Sequence, residues 1–118
     1  MKRPTEIQLG AINWEVHFEK MPESVLEDFG CTSRQLLGLT RTQSLKIIII
    51  PNLDPVVERI TFLHELVHAM AHSFGLGFDT GKKEDVVDKI ASAFYYFIKD
   101  NPETVKWLMK EAKNDTKV

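Results

Sequence analysis

Cysteine is nearly absent from this 118-residue chain: Cys31 stands alone. A single thiol cannot close an intrachain disulfide, so a disulfide-stapled secreted scaffold is excluded. Long apolar runs are missing as well. The longest purely aliphatic stretch, Ile47 to Ile50, is far too short to span a bilayer. Met1 to Glu6 turns polar at once, unlike a secretory leader, so a cytoplasmic protein without membrane association is expected. Positive charge is not in excess either. The formal net charge is −2, the pI is about 6.1, and Lys82 and Lys83 are the only adjacent lysines. A face that neutralises phosphates needs clustered basic groups, so no nucleic-acid partner is expected.

What is present is ordinary core material. Hydrophobic residues make up 43% of the chain, and its length suits one domain spanning residues 1–118, with a polar tail from about residue 114. The first half has the period of strands. Ile7-Gln8-Leu9 alternates before Gly10, and Trp14, Val16 and Phe18 alternate with Glu15, His17 and Glu19. A short helix is expected from Pro22 to Phe29, and Leu36, Leu37 and Leu39 suggest a short strand. Ser44 to Ile50 is the clearest strand, four successive isoleucines closed by Pro51 and Asn52; such a run suits a strand apolar on both faces.

The second half changes period. Asp54 and Pro55 form a helix start, and Ile60, Leu63, Val67 and Met70 recur at helical spacing until Gly75. Val87, Ile90, Ala91, Phe94 and Ile98 mark a second amphipathic helix. Asn101 and Pro102 open a third, with Val105, Leu108 and Trp107 as its apolar side. The expected class is therefore α+β: a small antiparallel or mixed N-terminal sheet, then a helical half.

The long helix carries His64-Glu65-Leu66-Val67-His68, an H-E-x-x-H sequence. Residues four apart share a helical face, so His64 and His68 can aim two imidazoles at one metal ion, most naturally Zn2+. Iron or manganese could replace zinc with the same ligand types. Glu65 follows the first ligand and can reach the water such a metal would activate, as general base and then as acid. With four His and ten Glu in the chain, chance alone produces this pattern in roughly one such sequence per hundred. Its place in a well-formed amphipathic helix after an aliphatic strand favours the metal reading over two idle surface histidines.

A catalytic zinc site takes three protein ligands and leaves a position for water. The metzincin extension fails here, because Ala71 and Phe74 stand where its glycine and last histidine would be. A carboxylate on the next helix, as in gluzincins, is the open alternative. Asp88, flanked by the apolar positions Val87, Ile90 and Ala91, is the first choice, with Glu84 one turn earlier as its rival. Either acid also has a purely structural reading, since carboxylates favour a helix N-terminus.

The stretch Thr61 to Ala69 resembles the active-site helix of small phage and bacterial metallopeptidases of the ImmA/IrrE type. In that family a strand precedes the motif helix, and a following helix carries the acid that serves as third zinc ligand. The matching stretch here is Asp88-Lys89-Ile90-Ala91-Ser92-Ala93-Phe94, in which Asp88 replaces the usual glutamate and Ser92 the usual Asn or Asp. The resemblance spans roughly residues 36–98. It implies a minimal zincin-like fold, endopeptidase activity against a protein or peptide that can be a regulatory protein, and host cytoplasm as the compartment if the chain is phage-encoded.

Other residues carry weaker signals. His72 shares the face of His64 and His68, but lies about 12 Å along the axis from His64, too far for easy joint coordination. Tyr95 and Tyr96 are candidate oxyanion donors that more often serve a core. Gly30-Cys31-Thr32-Ser33 has a faint resemblance to the cysteine-ligand segment of peptide deformylases, without their Gly-rich upstream motif. His17 alternates with apolar neighbours and is expected to face solvent. The leading expectation is a zinc metallopeptidase with His64, His68 and Asp88 (or Glu84) on the metal and Glu65 as general base, its peptide extended beside the strand Leu45 to Ile50. The alternative is a catalytically degenerate zincin-fold protein that acts by binding a partner.

Overall fold

The computed structural model describes residues 2–29, 36–77 and 82–110. The fold is α+β: a four-stranded mixed sheet, followed by helices. Strands β1 (Glu6–Leu9) and β2 (Ile12–Phe18) form an antiparallel hairpin in which Leu9 pairs with Ile12. Only Gly10 and Ala11 lie between them, and Gly10 takes a φ of +63° there, as a two-residue hairpin requires. Helix α1 (Glu23–Phe29) follows, then β3 (Gly38–Arg41) and β4 (Lys46–Ile49), which also pair antiparallel. The strand order is β1-β2-β4-β3, with β4 parallel to β2.

This order puts the isoleucine strand inside the sheet. Ile47 and Ile49 face the main core, while Ile48, pointing to the opposite side, is also buried. That double burial is the reason for an unbroken apolar run in place of alternation. An interior strand offers no free hydrogen-bonding edge, so the expected docking of a peptide beside Leu45–Ile50 does not hold. Among the described residues, the free edges belong to β1 and β3. The strand expected around Leu36–Leu39 lies two residues later, at Gly38–Arg41, because pairing with β4 sets its bounds.

Helix α2 (Pro55–Phe74) starts where Asp54 Oδ1 accepts the Val56 N–H at 3.0 Å. It ends at Gly75, left-handed at φ 60°. It lies across β1, β3 and β4 and closes the core with Ala69 against Leu9, Trp14, Val16, Ile47 and Ile49. Each fully buried side chain of this size contributes roughly 1.5–3 kcal/mol. The Trp14 indole N–H donates to Ser73 Oγ at 2.8 Å, so its burial leaves no orphan donor.

Helix α3 (Glu84–Asp100) packs on α2, and α4 (Pro102–Met109) touches α3. Here the periodicity overstates the core. Val87 and Ala91 are buried, but Phe94, Ile98, Leu108 and Trp107 are exposed, Trp107 at 71%. The apolar stripe of α3 continues beyond the surface that covers it, and the molecule is drawn out to 55 Å along one axis. No helix among the described residues is long and apolar enough to cross a membrane.

Candidate metal centre

The site forms where α2 and α3 pack together. His64 and His68, one turn apart on α2, bring their Nε2 atoms to 3.3 Å. Glu84, the first residue of α3, sets one carboxylate oxygen 2.7 Å from His64 Nε2 and the other 3.0 Å from His68 Nε2. These three residues form a cluster able to hold a metal ion. Asp88, one turn further on, meets the other nitrogen of His64: Nδ1 donates to Asp88 Oδ1 at 2.6 Å. The two acids thus divide the roles that were left open. Glu84 belongs to the cluster that could hold a metal ion, whereas Asp88, the first choice from the sequence, meets Nδ1 of His64.

Helix spacing explains the division: Glu84 and Asp88 lie one turn apart on α3, so Glu84 reaches the Nε2 atoms of both histidines while Asp88 reaches only Nδ1 of His64. Both acids remain open to water, with side-chain exposures of 54% and 70%. An aspartate does not have to span the longer path to Nε2.

The donor set fits a metal ion. Two ligand nitrogens at 2.0–2.1 Å from a tetrahedral ion lie about 3.3 Å apart, which matches the His64–His68 spacing. Asp88 accepts from Nδ1 of His64 and orients the ring, with Nε2 turned to the cluster. A carboxylate oxygen of Glu84 lies 2.7 Å from that nitrogen. Two electron-rich atoms at this distance need a cation between them, either a proton or a metal. Burial lowers the His68 pKa, with the Glu84 carboxylate opposing it.

Glu65 occupies a different environment. It is the one buried charged residue among those described, 6% exposed, and its Oε2 lies 4.0 Å from His64 Nε2. Burial pushes its carboxyl up to about 7, against the Thr40 hydrogen bond and the His64 charge, which pull it down. A group balanced near neutrality suits proton transfer. Strand β3 holds it in place. The Thr40 hydroxyl lies 2.8 Å from Glu65 Oε1 and 3.0 Å from the Glu65 backbone oxygen. At Gly38 a Cβ would sit 2.9 Å from both Cγ and Oε2 of Glu65, so only glycine leaves room for this carboxylate.

Gly38 and Thr40 carried no signal in the sequence. A threonine two residues beyond a glycine is unremarkable until the sheet is folded and β3 lies against α2. The β3 edge has a further property. The Ile50 N–H donates to the Leu37 carbonyl at 3.0 Å, so in the antiparallel register Leu37, Leu39 and Arg41 turn their backbone groups toward β4. The backbone groups of Gly38 and Thr40 point outward, beside the Glu65 carboxylate.

The remaining candidates lie elsewhere. His72 is exposed and stands edge-on to Trp14, with ring centroids 5.9 Å apart. Tyr95 and Tyr96 stack edge to face with each other. His17 is bracketed by Glu15 at 3.0 Å and Glu19 at 3.4 Å on the sheet face opposite the core. Cys31 lies outside the described residues. Compared with known proteins, the chain matches no family model, no curated protein and no solved structure.

Proposed function

We propose that the chain is a zinc-dependent metallopeptidase of the ImmA/IrrE type, with zinc on His64, His68 and Glu84 and with Glu65 as general base. One observation carries the reading: three converging ligand atoms stand beside a buried carboxylate that is not needed as a ligand. Zinc in such a site supplies a Lewis acid and lowers the pKa of a bound water from about 15.7 to near 7. The protein's own groups do the rest. Asp88 keeps the His64 ring in one tautomer and orientation. Glu65 accepts a proton from the attacking water, and later delivers it to the departing amine nitrogen. Thr40 and Gly38 hold that carboxylate at its post.

A peptide substrate docks by strand addition on β3. Its main chain pairs with the outward N–H and C=O groups of Gly38 and Thr40, which brings an extended segment past Glu65. Such pairing supplies affinity through the backbone and asks little of the side chains.

Metal analysis and peptide turnover test the reading together. Protein purified without added metal should carry one zinc per chain, lost in His64→Ala and Glu84→Ala. Glu65→Gln should keep the zinc and lose turnover by at least a hundredfold. Full activity in Glu65→Gln sinks the mechanism. A second reading, a zincin-fold protein that binds a partner without cutting it, is favoured by the exposed Phe94, Ile98, Trp107, Leu108 and Met109. Such a binder would keep its partner in Glu65→Gln and show no turnover as wild type.

A further inference from the structure

Among the described residues, the edge of β3 is free and carries a charge without a partner. Arg41 is directly opposite Lys46 in the β3–β4 register, and like charges so placed repel. Lys46 has a compensating neighbour, because Glu15 is its partner on the other side, in β2. Arg41 has none. It is exposed at the sheet's edge, and no carboxylate among the described residues pairs with it. Since Gly38 and Thr40 face Glu65, strand alternation sends Leu39 and Arg41 to the opposite face of the sheet.

We infer that Arg41 selects an acidic side chain on the docked peptide, within three residues of the bond that is cut. A strand added to β3 places one residue directly opposite Arg41, on the same face, with Cβ atoms about 4.5–5.5 Å apart. An Asp or Glu there neutralises the guanidinium and relieves its repulsion from Lys46. A Lys or Arg there makes a third positive charge in one row. The bond itself passes Gly38 to Thr40, where Glu65 stands, so Arg41 reads a neighbour of the reacting residues. The favoured substrate is therefore a peptide or exposed protein strand with a carboxylate to one side of the cleavage point. This inference rests on the strand-docking part of the reading above.

Its test scans Glu, Gln and Lys through three positions on either side of the bond in otherwise identical peptides. Cleavage is followed in the zinc-loaded wild type, and binding by fluorescence anisotropy on Glu65→Gln. The expected result is one position where Glu beats Lys by about two- to fivefold, the range of an exposed ion pair. Arg41→Glu should reverse that preference, and Arg41→Gln should flatten it. An identical preference in wild type and Arg41→Glu, or none at any position, overturns the inference. Binding with the charge preference but no cleavage overturns the peptidase reading and leaves the Arg41 assignment standing. Failure of every peptide both to bind and to be cut removes the docking mode and this inference with it.

Discussion

The sheet with α2 and the arm made of α3 and α4 bury apolar surface to different degrees. In the sheet and α2, Trp14, Ile47, Ile49 and Ala69 are fully enclosed. In the arm, only Val87 and Ala91 reach that state, and α4 has no buried residue. The candidate site straddles the two regions. His64, Glu65 and His68 stand on the well-packed side, and Glu84 and Asp88 on the loosely packed one. The candidate site is thus divided between a well-packed half that holds Glu65 and the two histidines, and a loosely packed half that supplies Glu84 and Asp88. A metal ion held by both would tie the arm to the body, since anything that binds only the assembled state stabilises it.

The sharpest way to break this comparison is to remove one tryptophan from each region. Trp14→Ala empties a fully enclosed position and should cost about 3–5 kcal/mol in urea unfolding. Trp107→Ala, on the exposed α4, should change stability by no more than about 0.5 kcal/mol. Equal costs would mean that the arm is as firmly built as the body.

Glu65→Gln should give a pH-dependent gain in stability in chelator-treated protein. The Glu65 carboxyl holds its proton up to about pH 7 in the folded chain, against an ordinary value of 4.5. Its contribution to stability is therefore fully present below pH 4.5 and is lost as pH rises through 7. Glutamine never ionises, so the variant should match wild type in acid and exceed it by about 1–3 kcal/mol at pH 8. Denaturant midpoints at three pH values read this directly, and a constant difference would refute it.

Gly38→Ala forces a methyl to within 2.9 Å of the Glu65 carboxylate. It should destabilise by about 1–3 kcal/mol and lower turnover while zinc stays bound. Asp88→Asn should be the mildest change at the site. It should weaken zinc affinity by about tenfold to a hundredfold, without the complete loss expected of Glu84→Ala. A chelator competition titration ranks the two, and equal loss would make Asp88 a ligand in its own right.

Much of this was legible in the chain before folding. H-E-x-x-H declares itself because its two histidines are one helical turn apart, a spacing that needs no tertiary knowledge. The isoleucine run gave away a strand apolar on both faces. Glu84 against Asp88 was harder, since both lie on one face of α3 and only the way α3 crosses α2 decides which meets Nε2. Gly38 and Thr40 were invisible, because their role depends on β3 lying against a helix that begins 17 residues after Gly38. The outer stripe of α3 misled for a related reason. Helical spacing reports that a face is apolar and says nothing about how far its cover extends.

The Thr40 hydroxyl has a consequence of its own. It lies within reach of two acceptors, Glu65 Oε1 and the Glu65 main-chain oxygen, yet it owns a single hydrogen. With the carboxylate ionised, that hydrogen goes to Oε1. With the carboxyl protonated, the acid donates to Thr40 Oγ1, and the hydroxyl turns to the helix carbonyl. A rotor on the sheet thereby registers whether Glu65 carries a proton, with no shift of the backbone. Serine could copy that rotation; valine, nearly the same shape, would silence it.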